Sequence, residues 1–279
     1  MKLLRYGPKG QEKPGLLDQN GKIRDLSKVV DDIAGETLSD AGLARIRAID
    51  PATLPEVTGE PRIGPCVARV GKMVCIGLNY ADHAAESNLP VPTEPVLFAK
   101  WTSAMVGPGQ PIVVPPDTLE VDYEAELGVV VGKKCRGVST EDALNYVAGY
   151  VCVNDISARD FQRTDGQWVR AKSQDSFGPF GPFLVTRDEL ANPQDLGIRC
   201  SVNGRTLQNS NTREMIFGVR ELIAFISRGI TLHPGDLIST GTPPGVGFAQ
   251  KPPVFLHAGD EVVVEIDGVG RLSNPVKAL

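Results

Sequence analysis

Thirty glycines and twenty-two prolines cut this chain of 279 residues into short apolar runs and leave little room for long helices. Gly and Pro end helices and open turns, so the pattern predicts a β-rich α+β fold built from many short strands. One of these runs constrains the chemistry as well, Leu119 to Val131, LEVDYEAELGVVV. Read as a single strand, it places Glu120, Asp122, Glu124 and Glu126 on one face and Leu119, Val121, Tyr123, Ala125 and Leu127 on the other. Residues two apart in a strand lie roughly 6.6–7 Å apart at their Cα atoms. Four carboxylates in such a row repel one another unless water or a cation takes up the charge. A solvated edge strand would meet the first condition. The run continues unbroken into GVVVG, as a buried strand does, so its carboxylates are expected to face a cleft. There a hard divalent cation, Mg²⁺ or Mn²⁺, would be held by oxygen ligands.

Bulk properties narrow the classes. A net charge of −5 and a pI near 5.4, with Lys and Arg scattered along the chain, argue against a nucleic-acid partner. No apolar run approaches the ~20 residues needed to cross a bilayer. The first residues, MKLLRYGPKGQEKPG, lack the apolar stretch of a secretory signal. Five cysteines, at 66, 75, 135, 152 and 200, form no CxxC pair and are odd in number, which points to neither a disulfide framework nor a zinc knuckle. The expectation is a cytoplasmic protein with no membrane partner.

Two regions differ in texture. Residues 1–65 read as a small N-terminal α+β domain: a β-meander through LLRYG and GLLDQNGKIRDL with a turn at QNGK, then a polar helical piece from about Leu38 to Ile49. The Pro-rich stretch PATLPEVTGEPRIGP leads into a main domain, 70–279. Two helices are expected there. Ser139 would cap one, with Asp142 at N3 and Ala143, Leu144, Val147 and Ala148 as its stripe. Thr212 would cap a longer one carrying Met215, Ile216, Val219, Leu222, Ile223 and Ile226 and ending at Gly229. An internal echo, LHPGD at 232–236 and LHAGD at 256–260, precedes two apolar strands and reads as paired turn-plus-strand units of a β-roll.

Of the three histidines, His233 and His257 fall in these turns, where a solvent-facing role is expected. His83 lies in ADHAAE, a short helical segment in which His83 and Glu86 are three apart and share a face. A carboxylate on an imidazole raises its basicity, as a general base requires, and a plain surface ion pair has the same spacing. Asp155 ends the strand-like GYVCVND and is open to two readings, a third metal ligand or a turn residue. Downstream, Arg159, Gln162, Arg170 and Lys172 would suit a substrate bearing a carboxylate and a keto oxygen, or would simply be solvated. The Gly-rich STGTPPGVG lacks the ending of a P-loop and the spacing of a dinucleotide fold, though its amides and Thr242 could receive a small anion.

In their order along the chain, IGLNYADHAAE, LFAKW, DYEAELGVVVG, GYVCVNDISARDFQ, AKSQDSFGPFGP, VNGRTLQ and LHPGDLISTGTPPGVG resemble the fumarylacetoacetate hydrolase family over roughly residues 70–275. That resemblance implies a mixed β-roll, usually a homodimer. It implies Mg²⁺ or Mn²⁺ on Glu124, Glu126 and Asp155, with Glu120 and Asp122 in supporting places. It further implies His83 and Glu86 on a lid helix, Lys172 at the developing oxyanion, and Arg159, Gln162 and Thr242 on the substrate. An Asp ligand upstream of the His in the founding branch has no counterpart here, where Cys75 and Ile76 stand. The implied reaction is cleavage of the C3–C4 bond of a 2,4-diketo acid. The chain as a whole, including MKLLRYGPKGQEKPGLLD at its start, resembles bacterial enzymes acting on 2,4-diketo-3-deoxy-L-fuconate or L-rhamnonate, which release pyruvate and lactate. Oxaloacetate decarboxylation, ureidoglycolate lysis and a non-catalytic β-roll binding protein are the competing expectations.

Overall fold

The computed structural model describes residues 1–87, 89–190 and 192–279. Two sheets dominate. The larger has ten strands and runs in the order Ile23–Asp25, Lys13–Leu17, Lys2–Tyr6, Gly178–Thr186, Val147–Asn154, Ala125–Val131, Leu237–Ser239, Met73–Gly77, Val96–Lys100, with Met105–Val106 alongside Gly178–Thr186. The smaller orders Arg205–Asn211, Gly197–Val202, Glu261–Ile266, Gly270–Ala278 and Ile112–Val114. Most ladders are antiparallel, but Leu237–Ser239 runs parallel to Met73–Gly77 and Gly270–Ala278 runs parallel to Ile112–Val114. The result is a mixed β architecture.

The central strands are apolar on both faces because both faces are covered. Leu127, Val129, Tyr150, Cys152, Val74 and Ile76 pack into a core shared with Ile198, Cys200 and Val264 of the smaller sheet. Their strand neighbours Val130, Val151, Val153, Met73 and Cys75 face the opposite way, into a second core with Leu3, Leu16, Leu26 and Ile46. The sequence reading drew a boundary between residues 1–65 and 70–279; the larger sheet runs across it, because Lys2–Tyr6 pairs with Gly178–Thr186. The meander at 2–25 has its turn at the expected place, with Asp18 Oδ1 accepting the N–H groups of Asn20 and Lys22. Helix α1 (Asp40–Arg47) falls inside the polar helical piece, capped by Ser39 Oγ, which accepts from Gly42 N–H at 3.1 Å.

Three local expectations are corrected. The acidic run is not one strand: Val121–Asp122 pairs with Ser157–Ala158, the chain breaks at Tyr123–Glu124, and Ala125–Val131 resumes in the large sheet. Leu119, assigned to the apolar face, is 82% exposed. Ser139 does accept from Asp142 N–H, but only a 3-10 turn over Ala143–Tyr146 follows, because Val147 and Ala148 enter a central strand. The long helix starts at Val219, not after Thr212. Thr212 Oγ1 is committed elsewhere, donating to Pro193 O at 2.8 Å and accepting from Leu196 N–H at 2.9 Å. Glu221 closes the helix start by accepting Gly218 N–H, and Val219, Leu222, Ile223 and Ile226 are buried.

Candidate active site

The register of two central strands assembles the carboxylates. Asn154 lies opposite Ala125 and Val153 opposite Glu126, so Asp155, one residue on, falls beside Glu124 and Glu126. Asp155 N–H donates to Glu124 O at 2.9 Å and Glu124 N–H to Asn154 Oδ1 at 3.0 Å, which stitches the strand ends past the break. One oxygen from each of Glu124, Glu126 and Asp155 lies within 4.8 Å of the others, and all three residues are buried.

Each carboxylate is held differently. Glu124 accepts from Arg159 Nη2 at 2.6 Å and from Lys172 Nζ at 2.8 Å. Asp155 accepts from Lys172 Nζ at 2.8 Å and from Lys100 Nζ at 2.6 Å. Glu126 meets no cation directly: its Oε2 accepts from Ser239 Oγ and from Gly241 N–H at 2.9 Å. Gly241 aims that N–H from φ 97°, a conformation an L side chain rarely adopts, and a Cβ there would sit 2.7 Å from Asn79 Cβ. Asp122 accepts the N–H groups of Gly247 and Phe248 and, at 2.9 Å, Arg159 Nε, and so holds the guanidinium against Glu124.

Four carboxylates thus face three cations, Lys100, Arg159 and Lys172, and the imbalance settles on Glu126. Burial, then the charges of Asp155 and Glu124, push its carboxyl up to about 8. Burial also acts against ionised Glu124, but Lys172 and Arg159 outweigh it and hold that carboxyl down to about 2. Burial acts against charged Lys172, but Asp155 and Glu124 outweigh it and raise its amine above the ordinary value. A cluster one negative charge in excess, all oxygen in its donors and with Glu126 Oε1 outside these hydrogen bonds, fits a hard divalent cation.

His83, Glu124, Glu126 and Arg159 line one cleft of about 290 Å³ together with Gln162, Lys172 and Thr242. Helix α2 (Ala81–Glu86) carries His83 to its edge. His83 Nδ1 stands 3.2 Å from Glu86 Oε2, and Glu86 is itself fixed by Gly245 N–H at 2.9 Å. Gln162 Oε1 accepts from Arg159 Nη1 at 2.9 Å. Thr242 Oγ1 donates to Ala125 O at 3.0 Å and accepts from Gln208 Nε2 at 2.8 Å. Not every expected residue joins this group. Arg170 pairs with Asp165 on the surface, and Glu120 pairs with Arg163. His233 and His257 are exposed in their turns, as expected of them.

Lys100, Gln208 and an aromatic wall escaped the sequence reading. Lys100 follows Phe98 by two in LFAKW, and a lysine at the inward period of an apolar strand was a readable sign of a buried ion pair. Gln208 lies in the polar stretch TLQNSN and had no such sign. The wall consists of Phe98 and Trp168, whose ring centroids are 5.2 Å apart at 68°, with Lys172 Nζ 5.0 Å from the Phe98 centroid.

Residues 72–277 match the family described as fumarylacetoacetate (FAA) hydrolase C-terminal. A Burkholderia ambifaria protein named as a hydrolase is 60% identical over 273 residues, 97% of each chain. The fold superposes on the fumarylacetoacetate hydrolase of psychrophilic Exiguobacterium antarcticum over 100% of both chains, with 37% identity and a TM-score of 0.89. It also superposes on the maleylpyruvate hydrolase of Sphingobium sp. SYK-6 in complex with manganese(II) and pyruvate. There the identity is 29% and the TM-score 0.83, covering 100% of this chain and 99% of that one.

Proposed function

The chain belongs to the fumarylacetoacetate hydrolase family, and from that premise we propose that it hydrolyses the C3–C4 bond of a 2,4-diketo acid of the acylpyruvate type. One observation carries the reading: His83, paired with Glu86, and two members of a three-carboxylate cluster, Glu124 and Glu126, line the same cleft. Glu124, Glu126 and Asp155 would hold Mg²⁺ or Mn²⁺, which would supply Lewis acidity to the substrate.

The protein's own groups perform the rest. Glu86 holds the Nδ1 side of His83, leaving the second ring nitrogen to take a proton from a water that attacks the C4 carbonyl. Collapse of the tetrahedral adduct breaks C3–C4, and the electron pair stays on C3 as the enolate of pyruvate. Lys172, held charged by its two carboxylates, stabilises the enolate oxygen, while Arg159 and Gln162 orient the substrate carboxylate. The proton on His83 returns to C3, so one water and one diketo acid become pyruvate and a carboxylic acid. Thr242 lines the same cleft and is the remaining polar group offered to the substrate. A homodimer in the cytoplasm is the setting this family reading carries with it.

The test is pyruvate release, with and without Mg²⁺ or Mn²⁺, from acetylpyruvate, a lactoyl-bearing 2,4-diketo-3-deoxy sugar acid, oxaloacetate and ureidoglycolate. Metal-dependent pyruvate from the diketo acids is expected. Activity confined to oxaloacetate would replace hydrolysis by decarboxylation, which needs no attacking water and would survive loss of His83.

A further inference from the structure

Beyond the charged cluster, the cleft changes character. Ile76, Leu78, Leu89, Phe98 and Trp168 line it, and Leu89 is 47% exposed, which places it at the mouth. Contacts lead outward from the charges: Lys172 lies over Phe98, Phe98 meets the edge of Trp168, and Trp168 rests on Gly77. Two consecutive residues set aside local preference to build this wall. A Cβ on Gly77 would come within 2.6 Å of the Trp168 ring, so only glycine admits the indole where it stands. Leu78 is held at φ 54°, a left-handed conformation that a leucine adopts only when its surroundings impose it.

The cations of the cleft serve the carboxylate cluster and the head of the substrate, or are paired at the rim. Among the described residues that line it they are Arg159, Arg163 and Lys172. Arg159 pairs with Asp122 and Glu124, and Lys172 with Glu124 and Asp155. Arg163, the outermost, gives both Nη1 and Nη2 to Glu120, at 2.7 and 2.8 Å. A second substrate carboxylate at this end would meet aromatic carbon and an arginine whose charge is balanced, and desolvating it there would be unfavourable.

We infer that the outer half of the cleft is an acyl pocket for an apolar, uncharged group. The substrate is then R–CO–CH₂–CO–COO⁻ with R an alkyl or aryl chain, rather than a dicarboxylic or hydroxylated acid. This rests on the acylpyruvate reading for the position of R, and the first test is chosen to read the pocket without any catalysis.

Titration calorimetry of the Mn²⁺-loaded protein compares 2-oxohexanoate with 2-oxohexanedioate, which share a head group and a length and differ in a terminal methyl or carboxylate. The monoacid should bind at least about tenfold more tightly. Equal or tighter binding of the diacid overturns the acyl pocket, whatever reaction the protein performs. In Trp168→Ala that ratio should fall towards one while Mn²⁺ affinity holds, and an unchanged ratio also overturns it. Where diketo acids are hydrolysed, kcat/KM should rise by about tenfold or more from acetylpyruvate to a butanoyl or benzoyl homologue. A flat series, or a preference for the lactoyl or carboxyl-ended substrate, counts against the pocket and leaves C–C hydrolysis standing.

Discussion

At the inner end of the cleft, Asp122, Glu124 and Asp155 interlock with Lys100, Arg159 and Lys172 through hydrogen bonds, with Glu126 beside them, and all of these residues are almost wholly buried. At the outer end, Phe98 and Trp168 offer area and shape and depend on one glycine for their placement. The two ends have opposite energetics. Buried charges are costly to break and are held in place by their partners, so the inner end tolerates almost no change. An aromatic wall at the rim contributes graded apolar contact, so its alteration should tune selectivity without dismantling the fold.

The sharpest challenge to this contrast is Glu124→Ala. It removes a cluster oxygen donor and leaves Arg159 and Lys172 each short of a buried partner. Loss of measurable Mn²⁺ binding by calorimetry is expected, with destabilisation of about 3–5 kcal/mol in a denaturant titration. Full Mn²⁺ affinity in this variant would remove the carboxylates from the metal-binding role. Next in size is His83→Ala, which should slow hydrolysis by about 10²–10⁴-fold with Mn²⁺ affinity retained, because the hydrogen-bond partner of the His83 ring is Glu86 and not a clustered carboxylate. Unchanged turnover would exclude it as the general base.

Gly77→Ala moves the test to the outer end. The added Cβ must displace the Trp168 ring, so kcat/KM for an apolar-tailed substrate should fall about tenfold with metal binding intact. A drop in Mn²⁺ affinity instead would mean that the two ends are coupled.

The last test is one of pH. Glu126 binds its proton more tightly in the folded metal-free protein, at about 8, than at its ordinary 4.5. The folded state therefore holds the extra proton, and metal-free stability should decline as pH rises from about 4.5 through about 8. A divalent cation needs the ionised carboxylate, so the gain in Tm on adding Mn²⁺ should grow across the same interval. A gain independent of pH would show that Glu126 is not the group carrying the excess charge.

The contrast also marks how far the sequence could be read. The acidic row was legible from its strand period and Asp155 from its place at a strand end, but singling out Glu124, Glu126 and Asp155 as one set rested on the resemblance to the family. The break at Tyr123–Glu124 was not legible, since Gln208, donating to Thr242 and accepting Ala125 N–H at 2.9 Å, holds it open from 83 residues away. The start of the long helix was misplaced for a similar reason: Thr212 has good capping chemistry and spends it on Pro193 and Leu196. The outer wall gave no signal, because Gly77 and Trp168 are far apart in the chain and nothing local links them.

The two echoing turns separate the contributions of sequence and tertiary structure. In LHPGD, Asp236 Oδ2 accepts His233 N–H at 2.7 Å; in LHAGD, Asp260 Oδ2 accepts His257 N–H at 2.7 Å. Both close on a glycine of positive φ, 93° and 99°. The sequence by itself determined that geometry, since every interaction in it spans three residues or fewer. Only the tertiary structure decided that Asp236 is buried and also bonded by Lys72, while Asp260 stays near solvent beside Asn203. The same division holds across the molecule. Turns, strand faces and the His83–Glu86 spacing follow from local sterics and hydrogen bonding. Which cation meets which carboxylate, and which ring lines the cleft, follow from close packing of segments that meet only when both sheets have formed.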